Sequence, residues 1–149
     1  MKKALILTLV VLFFTPSLRA ADPGAIKGVW LASSSDGNGD AHIRIYERGG
    51  RYYGKIVWLE EPNFPDGSPK VDGFNPDENL RDRPVEGLEL LSGFEYDGDN
   101  VWEDGKVYNP EDGKTYSCKL TLVDPDKLEV RGYVGISLLG RTETWRRLK

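Results

Sequence analysis

Asp77, Arg81 and Arg83 stand close together in the segment Asn75-Pro76-Asp77-Glu78-Asn79-Leu80-Arg81-Asp82-Arg83-Pro84, the most charge-dense and least strand-like stretch of the chain. Arginine presents a planar fork of donors that receives a carboxylate or phosphate in two parallel bonds. An aspartate ahead of such a segment can cap a short turn. Two uses follow, and they are compatible. The arginines can face an opening and take an acidic head group, or they can tie the segment to nearby carbonyls and acids as a lid. Asp72, Asp77, Glu78 and Asp82 crowd the same region, but acid–base work needs two carboxylates held in a cleft, and spacing alone pairs none of them.

The other reactive residue types point away from catalysis. His42 is the sole histidine, it lies beside Arg44, and no Gly-x-Ser-x-Gly occurs. Asp36-Gly37-Asn38-Gly39-Asp40 with Glu47 places oxygens at calcium-loop spacing. That loop requires glycine at its sixth position, where this chain has Ala41, and strand-like residues follow. A turn is expected, with no metal and no cofactor. Cys118 is the only cysteine and alternates with Tyr116, Leu120 and Leu122, the pattern of a small core residue that makes no disulfide.

The N-terminus carries Lys2 and Lys3, the apolar run Ala4 to Phe14, then Pro16 and small residues up to Ala20-Ala21. This is the order of a cleaved secretory signal, expected over residues 1–20, which leaves a single domain over 21–149. The apolar run is too short for the roughly 20 residues of a membrane span. Losing residues 1–20 removes Lys2, Lys3 and Arg19 and no acid, so 17 basic residues face 24 acidic ones, a formal charge of −7. A chain so acidic, with no basic run, is expected not to bind nucleic acid. An exported protein that does not span the membrane is expected.

The elements that must position these residues are strands. From Gly28 onward apolar and polar residues alternate with period two. About eight short strands separate at turns such as Arg48-Gly49-Gly50, Asp97-Gly98-Asp99-Asn100, Asn109 to Gly113 and Asp124-Pro125-Asp126. Asp104-Gly105 marks either a tight turn or a bulge. Glu60 to Pro84 holds five of the nine prolines, so no strand is expected there. Ile43, Ile45, Ile56, Trp58, Leu120, Leu122, Leu128 and Val130 are expected to point inward. Eight strands suit an all-β antiparallel up-and-down barrel or a sandwich, and a closed barrel of that size is either filled by side chains or holds one small ligand.

Gly28-x-Trp30 near the start and Trp145-Arg146 in the last strand resemble the closure of calycin barrels, in which an arginine of the last strand stacks over a tryptophan of the first. The wider order is more specific. Gly54 to Trp58, Asn75-Pro76-Asp77, Leu80-Arg81, Arg83-Pro84, Gly87-Leu88, Trp102, Val107 to Pro110, Asp112 to Tyr116, Val130-Arg131-Gly132 and Gly140-Arg141-Thr142-x-x-Trp145 follow one another across nearly the whole mature domain. This resembles the small exported bacterial family catalogued as domain of unknown function 2147. The resemblance implies a lipocalin-like barrel in the cell envelope and supplies no substrate and no catalytic residues. It also implies cysteines near Tyr46 and Gly132 in many members, where this chain has Glu47 or Arg48 and Tyr133.

The function expected is therefore that of a periplasmic, lipocalin-like binding protein that takes a small apolar or amphipathic molecule and is not an enzyme. Trp58, Phe94, Trp102, Tyr108 and Tyr116 are the candidate lining, with Asp77, Arg81 and Arg83 at the mouth. The alternative is a filled barrel whose loop or outer face binds an envelope protein or a glycan.

Overall fold

The computed structural model describes residues 22–33, 39–136 and 140–149. The expected signal sequence and most of the Ser33 to Asp40 loop, with the calcium-like spacing at Asp36 and Asn38, lie outside the described residues. The strands are β1 (Gly28–Ala32), β2 (Ala41–Arg48), β3 (Arg51–Leu59), β4 (Glu89–Gly98), β5 (Val101–Asn109), β6 (Lys114–Asp124), β7 (Lys127–Tyr133) and β8 (Arg141–Arg147). Each pairs antiparallel with the next, and β8 pairs with β1 to close an eight-stranded barrel. Closure leaves no unpaired edge, which stabilises an all-β chain that has no disulfide to staple it.

Up-and-down order puts alternate connections at opposite ends. One end carries the short turns after β2, β4 and β6, together with a 3-10 turn, Pro23–Ile26, that precedes β1. The other carries the connections after β1, β3, β5 and β7, including the 60–88 segment that contains the proline-rich stretch.

The short-turn end is a sealed floor. Trp30, Trp102, Phe94 and Ile26 are fully buried within it. Burying a large apolar side chain contributes about 1.5–3 kcal/mol. Their polar atoms are satisfied locally, since Trp30 Nε1 donates to the Ile26 carbonyl at 2.9 Å and Trp102 Nε1 to that of Pro23 at 3.0 Å. The turn before β1 is therefore pinned by both indoles. Asp104-Gly105 is a bulge within a continuous strand: Trp102 faces Leu120 and Gly105 faces Cys118, so β5 carries an extra residue there. Gly105 has to lack a side chain, because a Cβ would overlap the Phe94 ring.

Gly28 and Trp30 close the barrel as expected, but their partner is Arg147. Its guanidinium lies 4.2 Å from the Trp30 ring and donates to the carbonyls of Ala25, Lys27 and Pro125 at 2.6, 2.8 and 2.7 Å. Gly28, at φ +134°, holds a backbone conformation that L side chains rarely adopt, and a Cβ there would stand 2.8 Å from Arg147 Nη1 and push it aside. Arg146 faces outward and is exposed. The reason is parity: adjacent residues of a strand point to opposite faces, so a buried Trp145 excludes Arg146 from the interior and admits Arg147.

Trp58 is a second correction. His42 pairs with Trp58 but Ile43 pairs with Ile56, so Val57 is an extra residue in β3. That bulge reverses the facing beyond Ile56. Leu59 turns to the interior, while Trp58 stands outside at 41% exposure with its ring 4.3 Å from that of His42. The other seven inward assignments are buried.

Candidate functional site

Beyond the floor the barrel is not filled. A cavity of about 880 Å³ occupies the long-loop end. Ile43, Ile56, Leu59, Leu90, Val107, Val130 and Trp145 form its apolar walls, and Phe74, Val85 and Val71 of the 60–88 segment border it on one side. The volume falls within the range of pockets that enclose a single small molecule, and the mix of apolar walls with a few polar groups is typical of them. Two large apolar side chains at the mouth remain in water, Phe74 at 70% exposure and Phe64 at 44%.

The segment beside the cavity is held by one carboxylate. Asp72 is fully buried. Its Oδ2 accepts Arg83 Nε at 2.9 Å, Arg83 Nη2 at 2.8 Å and Asn75 Nδ2 at 2.8 Å, while Oδ1 accepts the Tyr108 hydroxyl at 2.5 Å. A buried charge is tolerable only when paired and hydrogen-bonded in this way. Tyr108 belongs to β5, so the network fastens the lid to the barrel wall. Burial first, then the bond to the Asp72 carboxylate, push the Tyr108 phenol up to about 12. Two isolated bridges, Asn63 with Pro69 and Val71 with Pro84, stiffen the segment further. Its far side rests on the β5–β6 turn, where Gly113 at φ +69° packs against the Phe74 carbonyl and a Cβ would collide with it.

The charged triplet of the lid is structural in this geometry. Asp77 caps the 3-10 turn Glu78–Leu80, accepting from the Asn79 backbone N–H at 3.0 Å. Arg81 Nε donates to the Asn75 carbonyl at 2.8 Å, and its Nη1 lies 3.5 Å from Glu78. Arg83 is taken by Asp72. None of the three lines the cavity. Of the five aromatic candidates, Tyr108 and Tyr116 line it, Tyr116 with its hydroxyl donating to Asp112 Oδ2 at 2.6 Å. Phe94 and Trp102 belong to the floor, and Trp58 lies outside the barrel.

Inside the mouth, β8 supplies the residues that spacing could have found. Arg141, Glu143, Trp145 and Arg147 alternate on its inner face, and the first three line the cavity. Glu143 Oε2 accepts a 3.3 Å bond from Trp145 Nε1. Beside them Cys118 is buried, and burial first, then the Glu143 charge, push its thiol up to about 12. It is inert at neutral pH. Among the described residues no group of three or more metal-ligating side chains converges, and no helix is long and apolar enough to cross a membrane.

Comparison with known proteins agrees with this geometry. No curated protein matches the chain. A solved structure of protein HP1028 from the human pathogen Helicobacter pylori, described as belonging to the lipocalin family, superposes with a TM-score of 0.72. The two are 29% identical, over 83% of this chain and 82% of that one. The barrel is thus lipocalin-like. The family described as "Uncharacterized protein conserved in bacteria (DUF2147)" matches residues 28–147, and the chain belongs to that family.

Proposed function

We propose that this protein is an exported, periplasmic binding protein that takes one small apolar or amphipathic molecule into the open half of its barrel, without catalysing a reaction on it. The observation that carries the proposal is the division of the barrel interior. Aromatic side chains fill the floor, while about 880 Å³ bounded largely by aliphatic side chains is left at the other end. Apolar surface exposed to such a space is stabilised by covering it, at roughly 25 cal/mol per Å². Phe64 and Phe74 at the rim give an apolar ligand a first contact. Export is supported by Lys2 and Lys3 ahead of the apolar run Ala4 to Phe14. The non-catalytic reading rests on Asp72, the one buried acid among the described residues, whose two oxygens are both committed to the lid.

Titration with dodecanol, followed by tryptophan fluorescence, tests the proposal. Trp145 is the tryptophan in the cavity wall, so its emission should shift in wild type and be unresponsive in Trp145→Phe. Gly132→Leu provides a plug: a Cβ there meets only Val107 Cγ1 at 3.6 Å and Tyr116 Cβ at 4.0 Å, so the longer side chain extends into the cavity without displacing backbone. Binding should fall at least tenfold while the unfolding midpoint stays near that of wild type. Equal binding by wild type and Gly132→Leu would remove the cavity from the account.

The exposure of Phe64 and Phe74 also supports a second reading, in which the lid docks on an envelope protein or glycan. Periplasmic pull-down by wild type but not by Phe74→Ser, with dodecanol binding retained, would favour it.

A further inference from the structure

We propose that the ligand is an amphipathic amine, with its protonated nitrogen held at Glu143; this rests on the reading of the open barrel as a ligand cavity. The inner face of β8 runs from floor to mouth as Arg147, Trp145, Glu143, Arg141. Arg147 is consumed by three carbonyls and the Trp30 ring, and Trp145 is part of the wall. Glu143 is therefore the first charge met on this strand above the apolar depth. On the β7 side its neighbours across the sheet are Val130, directly opposite, and Leu120 beyond it on β6. Neither satisfies a carboxylate.

Among the described residues, what Glu143 does have is a single long bond from Trp145 Nε1. A carboxylate offers about four acceptor positions, so this bond leaves most of its capacity open at the exposed rim of the cavity that Glu143 lines. Its negative charge contributes to the raised pKa of the buried Cys118 thiol, so it is felt inside the barrel. Of the cations that line the cavity, Lys70 belongs to the 60–88 segment and Arg141 is the one on the same strand as Glu143. Two residues nearer the mouth on the same face, it makes no ion pair with Glu143 within 4.0 Å, and its side chain is exposed. An ammonium arriving with an alkyl body below it would satisfy Glu143 and place its charge beside the Trp145 indole. The excess of acidic over basic residues, a formal charge of −4 on the full sequence, favours cations over anions in the encounter.

The order of groups along β8 distinguishes this ligand from the obvious competitor. A fatty acid would bring a carboxylate to the level of Glu143, where like charges repel. A neutral alcohol would bind through its chain alone.

Three probes of equal chain length separate these cases: dodecylamine, dodecanol and dodecanoate, each titrated below its micelle-forming concentration at pH 7 against the mature protein. Wild type should bind dodecylamine roughly tenfold or more tighter than dodecanol, the range expected of a hydrogen bond to a charged group, and dodecanoate more weakly than either. Glu143→Gln should bind dodecanol as wild type does and lose the preference for the amine. Arg141→Ala should retain or increase that preference. If wild type binds dodecanol but prefers dodecanoate, or if Glu143→Gln keeps the amine preference, the assignment of an amine is overturned while the cavity stands. Binding of none of the three overturns both.

Discussion

The two ends of this barrel solve the same packing problem in opposite ways. At the floor, Trp30, Trp102, Phe94 and Ile26 fill the interior, and each indole N–H finds a carbonyl of the 3-10 turn. At the mouth, aliphatic walls face a cavity, and the polar groups are spent on holding a lid beside it. A barrel of eight strands is just wide enough for either outcome. The difference teaches where stability and function divide: removing side chains from the floor should unfold the protein, whereas changes at the mouth should alter what enters.

The largest effect expected is from Trp30→Ala, which empties the centre of the floor and removes the ring on which the Arg147 guanidinium stacks. It should cost about 3–5 kcal/mol in urea unfolding; a loss below 1 kcal/mol would mean that the floor is not the stabilising half. Next comes the contrast between neighbours. Arg147→Ala loses three bonds to carbonyls and the stacking on Trp30, about 2–3 kcal/mol. Arg146→Ala, on the outer face, should stay within about 0.5 kcal/mol of wild type. Similar losses for the two would refute the parity assignment.

At the lid the prediction concerns pH. The Tyr108 phenol is raised in the folded state to about 12 from an ordinary value near 10. The protonated form therefore favours folding, a contribution fully present below about pH 10 and lost as pH rises through about 12. Tyr108→Phe should be less stable than wild type by about 1 kcal/mol at neutral pH. That gap should close between pH 10 and 12, and a gap independent of pH would remove the Asp72–Tyr108 bond from the account. The smallest effect belongs to the floor's one orphan among the described residues, the buried Tyr96 hydroxyl, which has no hydrogen-bond partner. Tyr96→Phe should be neutral or stabilising by up to about 1 kcal/mol, since it removes a desolvated polar group.

Much of the floor was legible from the residues alone and little of the mouth was. Period-two alternation reveals eight strands and most inward faces, because burial on one side is written into every second residue. It fails at Trp58, where the extra Val57 reverses the facing, and a bulge of that kind leaves no mark in a run of apolar residues. It would have corrected Arg146 to Arg147 if applied strictly to Trp145. The lid arginines drew attention by charge density, yet buried charge is more often paired than free, and Asp72 and the Asn75 carbonyl take them. The cavity-lining Arg141 and Glu143 look like ordinary surface charges in the sequence. Counting back by twos from Trp145 would have put both on its face, but that this face lines a cavity follows only from the closed barrel.

The measurement that addresses the central claim most directly is native mass spectrometry of the mature protein isolated from a periplasmic fraction, followed by denaturing extraction, with wild type and Gly132→Leu compared. A reproducible excess mass on wild type, released on denaturation and absent from Gly132→Leu, is the result predicted for a carrier that uses the open half of its barrel. A bare polypeptide mass for both, together with a Trp145 emission that no dodecyl probe changes, would contradict it.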